Sequence, residues 1–180
     1  MKITPAWKDA EGKGLKDLGW ALQYEGSIES EEEIEIEIGS RWLKLSGSLK
    51  SQQFIKAGEG IEAGEGIEAG GGITAGGGIE AGEGIEAGWG ITAGGGIEAG
   101  CGITAGWFIT AGEGIEAGEG IEAGLSIRCK KVIKWSFDLF AGTAVWKKPT
   151  DEECMIEAGE LQGGEVKYGI VKLLHKEEKK

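Results

Sequence analysis

The chain is poor in the residues that most often carry chemistry. Its 180 residues include one histidine, two prolines, two methionines, two tyrosines and three cysteines. The single histidine, His175, sits in the terminal "HKEEKK", so a Ser or Cys nucleophile elsewhere has no second imidazole to activate it. Cys101, Cys129 and Cys154 are odd in number and lack metal-like spacing. That disfavours a disulfide framework or a zinc site and suits a reducing, cytoplasmic setting. No window approaches 18 uninterrupted apolar residues, so no membrane-spanning helix is expected. The opening "MKITPAWKDAEGKGLKDLGW" has no apolar segment of the secretory kind. No GK[ST] follows a strand-like run, so the many G-x-G matches are not phosphate loops. No metal and no cofactor are expected.

Positive charge is also scarce. Nineteen Lys and Arg stand against 31 Asp and Glu, a net charge of −12. A binder of nucleic acid or of an anionic membrane normally presents a basic face, which disfavours both as direct partners. Acidity points instead to basic partners, cations or solubility.

Glycine is what the chain has in abundance, 36 residues. Such content usually marks a flexible low-complexity segment, but here the glycines recur at fixed positions. Ile recurs every six residues from Ile55 to Ile133, and Leu43 and Leu49 extend the frame backwards. Sixteen hexads, Leu43 to about Asp138, read I-[E/T]-A-G-x-G. In an extended strand, positions one and three share a side and position two faces the other way. Ile and Ala therefore point inward, and Glu or Thr outward. The fifth slot holds Glu59, Glu65, Glu83, Glu113 and Glu119, so it belongs on an outer corner. The flanking glycines would permit the positive φ that a sharp corner can need. Units this short bury their faces only by stacking, which predicts a parallel β-solenoid.

Reading the second slot every eighteen residues sorts it into columns. One runs Lys56, Thr74, Thr92, Thr110, Arg128, and another Lys44, Glu62, Glu80, Glu98, Glu116, Lys134. The fifth slot sorts likewise, with Gly71, Trp89, Trp107 and Leu125 on one corner and Glu65, Glu83, Cys101 and Glu119 on another. Three hexads per coil follow. The fold class is all-β: a single-stranded parallel solenoid of triangular eighteen-residue coils, about five of them, capped by short strands or hairpins. Residues 1–42 form the N-terminal cap and first strands, 43–138 the solenoid, and 139–180 the C-terminal cap. Within the caps, "EEEIEIEIGSRWLKL" reads as a strand or hairpin over the first coil. "IKWSFDLFAGTAVW" plugs the last one, and "CMIEAGELQGGEVKYGIVKLL" reads as a hairpin turning near Gly163 and Gly164.

In period and coil length the array resembles the hexapeptide-repeat proteins, whose triangular coils form left-handed β-helices. It differs in placing its small residue, as in Ala63, Ala81 and Ala99, two positions after the aliphatic one rather than before. The "GIEAGxGIEAG" text is also similar to uncharacterised proteins of bacterial and phage genomes. For activity, the hexapeptide resemblance implies acyl transfer from an acyl-CoA with a His general base, and only His175 could serve. The rank Thr74, Thr92, Thr110 is similar to ice-binding solenoids, which generally carry two such ranks.

Two surfaces remain as candidate sites. Residues 55–124 contain twelve Glu and one Lys. Like charges stacked ~5 Å apart cost roughly 0.8 kcal/mol per neighbouring pair even at the dielectric of water. The acidic candidates are Glu62, Glu80, Glu98, Glu116, Glu65, Glu83 and Glu119, awaiting a basic partner. Trp89 and Trp107 with Leu125 and Phe108 make an outward apolar corner, a candidate dimer or partner interface unless a flank covers it. The expected function is non-catalytic: a cytoplasmic, homodimeric, acidic solenoid that binds a protein with a basic, nucleic-acid-handling surface. Its concrete form is a phage-type anti-defence inhibitor, such as an anti-CRISPR. A structural scaffold or virion component, an acyltransferase and an ice-binding protein are the alternatives.

Overall fold

The computed structural model describes residues 1–174. The single histidine therefore lies outside the described residues. The chain winds as a parallel β-solenoid of about eight coils, and its three-residue strands stack into three faces. Ile61 pairs with Ile79 above and Leu43 below, so residues eighteen apart are vertical neighbours. The same register holds on the Thr face, where Thr74 meets Lys56 and Thr92. It holds on the third face too, where Glu68 meets Lys50 and Glu86.

The core is a column of isoleucine. From Ile55 to Ile133 no leading Ile is more than 1% exposed, and the inward Ala side chains fill the space beside them. Through the middle of the array each strand packs one large and one small inward residue, whereas Ile34 with Ile36, Leu43 with Leu45 and Ile133 with Trp135 are large and buried at both positions towards the ends. The alternation of Ile with Ala is how the central coils fill their interior, one large and one small knob per strand.

The corner glycines work differently from the expectation. None of the glycines in the array has a positive φ; those that do are Gly12, Gly19, Gly26, Gly39, Gly142 and Gly169. The reason for glycine is close approach between coils. A Cβ on Gly82 would sit 2.1 Å from the carbonyl oxygen of Gly64, and one on Gly100 2.1 Å from that of Gly82. At the sixth-slot Gly84 the clearance is ordinary, 3.4 Å to the Gly102 oxygen. From Gly64 to Gly124 the fourth slot has no space for a Cβ, because the backbone one coil before lies within 2.4 Å of where it would sit, whereas the sixth slot is crowded only in places, as by Trp42 at Gly60 and Phe108 at Gly90.

The coils continue beyond residues 43–138 in both directions. Leu22, Ile28 and Ile34 pair in parallel with Leu43, Leu49 and Ile55. "EEEIEIEIGS" is thus the third side of an additional coil rather than a hairpin over its edge. Three extra residues at the corner after Ile36 lengthen that coil to twenty-one. Residues 1–20 close its outer side. Lys2–Ile3 adds in parallel to Ile34–Ile36, and Lys16–Asp17 pairs antiparallel with Ala21–Tyr24.

At the other end the strand Val132–Ala141 turns a corner and serves two faces, with Ile133 beside Ile115 and Leu139 beside Ile121. Its Trp135 points inward, 6% exposed, in a slot held by Ala from Ala57 to Ala123. After an excursion over 142–154, containing the 3₁₀ turn Asp151–Cys154, Ile156 returns beside Ile127. The expected hairpin at Gly163–Gly164 does not form. Glu160–Tyr168 runs through that point parallel to Val132–Ala141, and Ile170–Leu173 is parallel to Met155–Ala158.

Candidate functional site

The acidic column forms as a continuous stripe. Glu62, Glu80, Glu98 and Glu116 are direct neighbours on one face, a consequence of the parallel register. Its two ends are neutralised: Lys44 Nζ lies 2.7 Å from Glu62, and Lys134 Nζ 3.2 Å from Glu116. Glu80 and Glu98 have no ion pair among the described residues. Burial pushes the Glu80 carboxyl above its ordinary range, and Glu62 and Glu98 push it the same way. Lys44 opposes them.

Round the next corner, Glu65, Glu83, Cys101 and Glu119 form a second column, joined rung to rung by backbone hydrogen bonds. The Glu65 carboxylate accepts from the Ser48 hydroxyl at 2.7 Å. Beyond it the third face adds Glu68, Glu86 and Glu122, with Lys50 3.0 Å from Glu68. An open groove between corner and face is lined by Ser48, Lys50, Glu68, Glu83, Glu86 and Thr104. On the far side of the first column, a second groove brings Glu113 beside Glu80, Glu98 and Glu116, with Trp42 at its rim. Sequence reasoning left Glu68, Glu86 and Glu113 out of the candidate site. Their outward slots in the same frame were the available signal.

No cluster of three or more His, Cys, Asp or Glu side chains among the described residues is arranged to hold a metal ion. The carboxylates stand in open columns, where they present charge to whatever lies against the faces.

The aromatic corner is larger than its sequence pattern. Trp89 and Trp107 stack in parallel, and each is extended outward by a ring from elsewhere in the chain. Phe54 meets Trp89 edge-on at 5.2 Å, and Trp146 tilts onto Trp107 at 5.5 Å. Phe54 comes from the sixth slot two coils before Trp89. It occupies the space above Gly71 and Gly72, where added Cβ atoms would meet its ring at 3.1 and 3.6 Å. Phe108 covers Gly90 in the same way. Trp146 comes from the 142–154 excursion, so a C-terminal segment does fold back on the corner. It covers the outer face of Trp107 but leaves Trp89 50% and Trp107 37% exposed. Phe108 is 37% exposed and Leu125, whose N–H donates to the Trp107 carbonyl, is half-buried. Only the fifth-slot pattern revealed the two central rings. Nothing in the spacing marks Trp146, because it lies outside the frame.

Comparison with family models, with curated proteins and with solved structures gave no match. Among the described residues, no helix is long and apolar enough to cross a membrane.

Proposed function

We propose that this chain is a non-catalytic binding protein that offers a rigid acidic face to a basic surface of a protein partner. The observation that carries this reading is the middle of the first column. Glu80 and Glu98 stand in register between two lysine-paired glutamates, and Glu80 has a raised proton affinity, first because it is partly buried and then because Glu62 and Glu98 share its sign. A carboxylate in that position is relieved by any cation brought against it, so a Lys or Arg side chain of a partner gains more there than at an isolated glutamate. The spacing is fixed by the coil, so the backbone needs no ordering on binding and only side-chain rotamer freedom is lost.

The finer reading is an inhibitor of phage type that competes for Lys and Arg side chains which otherwise contact phosphates. Such an interaction is electrostatic and salt-sensitive. The test reverses the column, with Glu62, Glu80, Glu98 and Glu116 all changed to Lys. Wild-type protein is expected to retain a partner from host lysate that added salt or DNA displaces, and the variant is expected to lose it. Retention of the same partner at the same salt tolerance by the variant would remove the acidic face as the binding surface.

A further inference from the structure

The two ends of the solenoid are built differently. At the N-terminal end the edge strands are short: Lys2–Ile3, Lys16–Asp17 and Ile28–Ser30. The antiparallel turn of Lys16–Asp17 against Ala21–Tyr24 interrupts the stacking direction. Ile3 is fully buried, and Trp7 packs edge-on against Tyr24 at 5.3 Å. The Tyr24 hydroxyl donates to Asp9 at 2.6 Å. Short and redirected edges are how β proteins close such ends.

At the C-terminal end, Glu160–Tyr168 spans nine residues and Ile170–Leu173 four, and each pairs on one side only among the described residues. Val171 and Leu173 continue the inward columns of Ile156 and Ala158. Ile156 and Ala158 are fully buried, whereas Val171 is 43% and Leu173 51% exposed. The last rung therefore presents core side chains together with a row of backbone amides and carbonyls in extended geometry. Unpaired edges of this length are templates for another strand.

Charge narrows what can dock there. The array between residues 55 and 124 is strongly acidic, so two copies repel along their sides. The last rung carries Glu160 and Glu165 against Lys167 and Lys172, a balanced set. It is a place where two copies of this acidic chain meet without a like-charge field.

We propose that the C-terminal rung is a dimerisation surface, on which a second copy of the chain docks end to end about a two-fold axis. Its final rung has the same triangular outline and the same exposed apolar residues. A two-fold axis across the solenoid keeps the winding sense but reverses the direction in which the second copy's strands run round the common axis, so the facing strands pair antiparallel. Head-to-tail stacking into filaments has no receptor, because the other end is closed. The assembly therefore stops at two. Both acidic faces and both aromatic corners stay uncovered, so this inference neither needs nor disturbs the proposed function.

Light scattering across a concentration series tests it on the full chain. The expected result is twice the 18.8 kDa chain mass, with a monomer for Val171→Asp/Leu173→Asp at unchanged far-ultraviolet circular dichroism. Should that variant lose its last rung, Lys167→Glu/Lys172→Glu leaves the apolar residues in place and makes the rung acidic, at the cost of the ion pairs of Lys167 with Glu165 and Asp138 and of Lys172 with Glu157, so its circular dichroism is checked as well. It is expected to weaken the dimer at least about tenfold, most strongly at low salt. Trp89→Ala/Trp107→Ala stays dimeric. A wild-type monomer at every concentration, a higher oligomer, or a dimer undiminished in both end variants overturns the proposal. So does a dimer lost only in the tryptophan variant, or a monomer that dimerises only once residues 175–180 are deleted.

Discussion

The indoles of Trp89 and Trp107 lie 5.3 Å apart between ring centroids, with their planes 5° from parallel. That distance is close to the strand spacing itself, about 4.8 Å, so the coil sets the stack. One residue per coil in one slot is enough to make neighbours of rings eighteen positions apart. Phe54 and Trp146 then close the two ends of the row.

Trp107 touches a ring on both sides and Trp146 on one. Aromatic pairs contribute about 0.5–1.5 kcal/mol each beyond the area they bury. Trp107→Ala is therefore expected to lower unfolding stability by about 1–3 kcal/mol from the ring pairs alone, and Trp146→Ala by roughly half as much. Denaturant unfolding measures both. An equal or reversed order contradicts a continuous row.

The glycine slots separate cleanly. Gly82→Ala forces a Cβ to within 2.1 Å of a carbonyl oxygen in the coil below, whereas Gly84→Ala meets its nearest atom at 3.4 Å. Overpacking of this kind costs about 1–3 kcal/mol. The first variant should lose that much or more, and the second should melt within a few degrees of wild type. Thermal unfolding of the pair decides the point, since both replace the same residue type two positions apart.

Glu80 gives the acidic column a pH signature. Its folded-state pKa is raised, so protonation favours the folded state. The stabilisation is fully present below the ordinary carboxylate range and is lost as pH rises through the raised value. Asp9 runs the other way: the Tyr24 hydroxyl holds it below its ordinary value, so its contribution is present above that range and lost as pH falls. Glu80→Gln should be more stable than wild type near neutral pH, with the advantage fading below about pH 4. Added salt should shrink the difference as well. An unchanged gap across pH would mean that the column carries no repulsion.

Ile91 is fully buried at the centre of the array, and Thr92 beside it points out. Ile91→Ala should cost about 2–5 kcal/mol, and Thr92→Ala no more than ~0.5 kcal/mol. Hydrogen exchange should show the Ile91→Ala loss as local opening of the coils nearest it, because each coil contacts only its neighbours.

Much of this was legible in the text of the chain. Period six fixes which side chains face in, and period eighteen fixes which ones stack, so the columns of Glu62 and of Trp89 followed without coordinates. The solenoid has about eight coils rather than about five, and the signals for the extra coils were present at both ends. Leu22, Ile28 and Ile34 keep the six-residue step, but a nine-residue step to Leu43 hid them. Ile156-Glu157-Ala158-Gly159 repeats the unit outright, behind an excursion of irregular sequence. In both places the frame was broken by an insertion at a corner, where a solenoid tolerates extra residues because nothing stacks on them.

The sequence by itself determined the winding between residues 43 and 138: which residues are core, which are faces and which slots line up, because strand alternation and the eighteen-residue coil are local and repeat there without a break. Only the tertiary structure decided how the array ends and what meets across coils. The close approach of Gly82 to the Gly64 carbonyl, the return of Trp146 onto Trp107, and the exposure of Val171 and Leu173 on the last rung depend on contacts between segments far apart in the chain. The eighteen-residue period names Gly64 as the neighbour of Gly82 but not how closely their backbones approach, and it is silent on Trp146 and the last rung, which lie outside the unbroken frame.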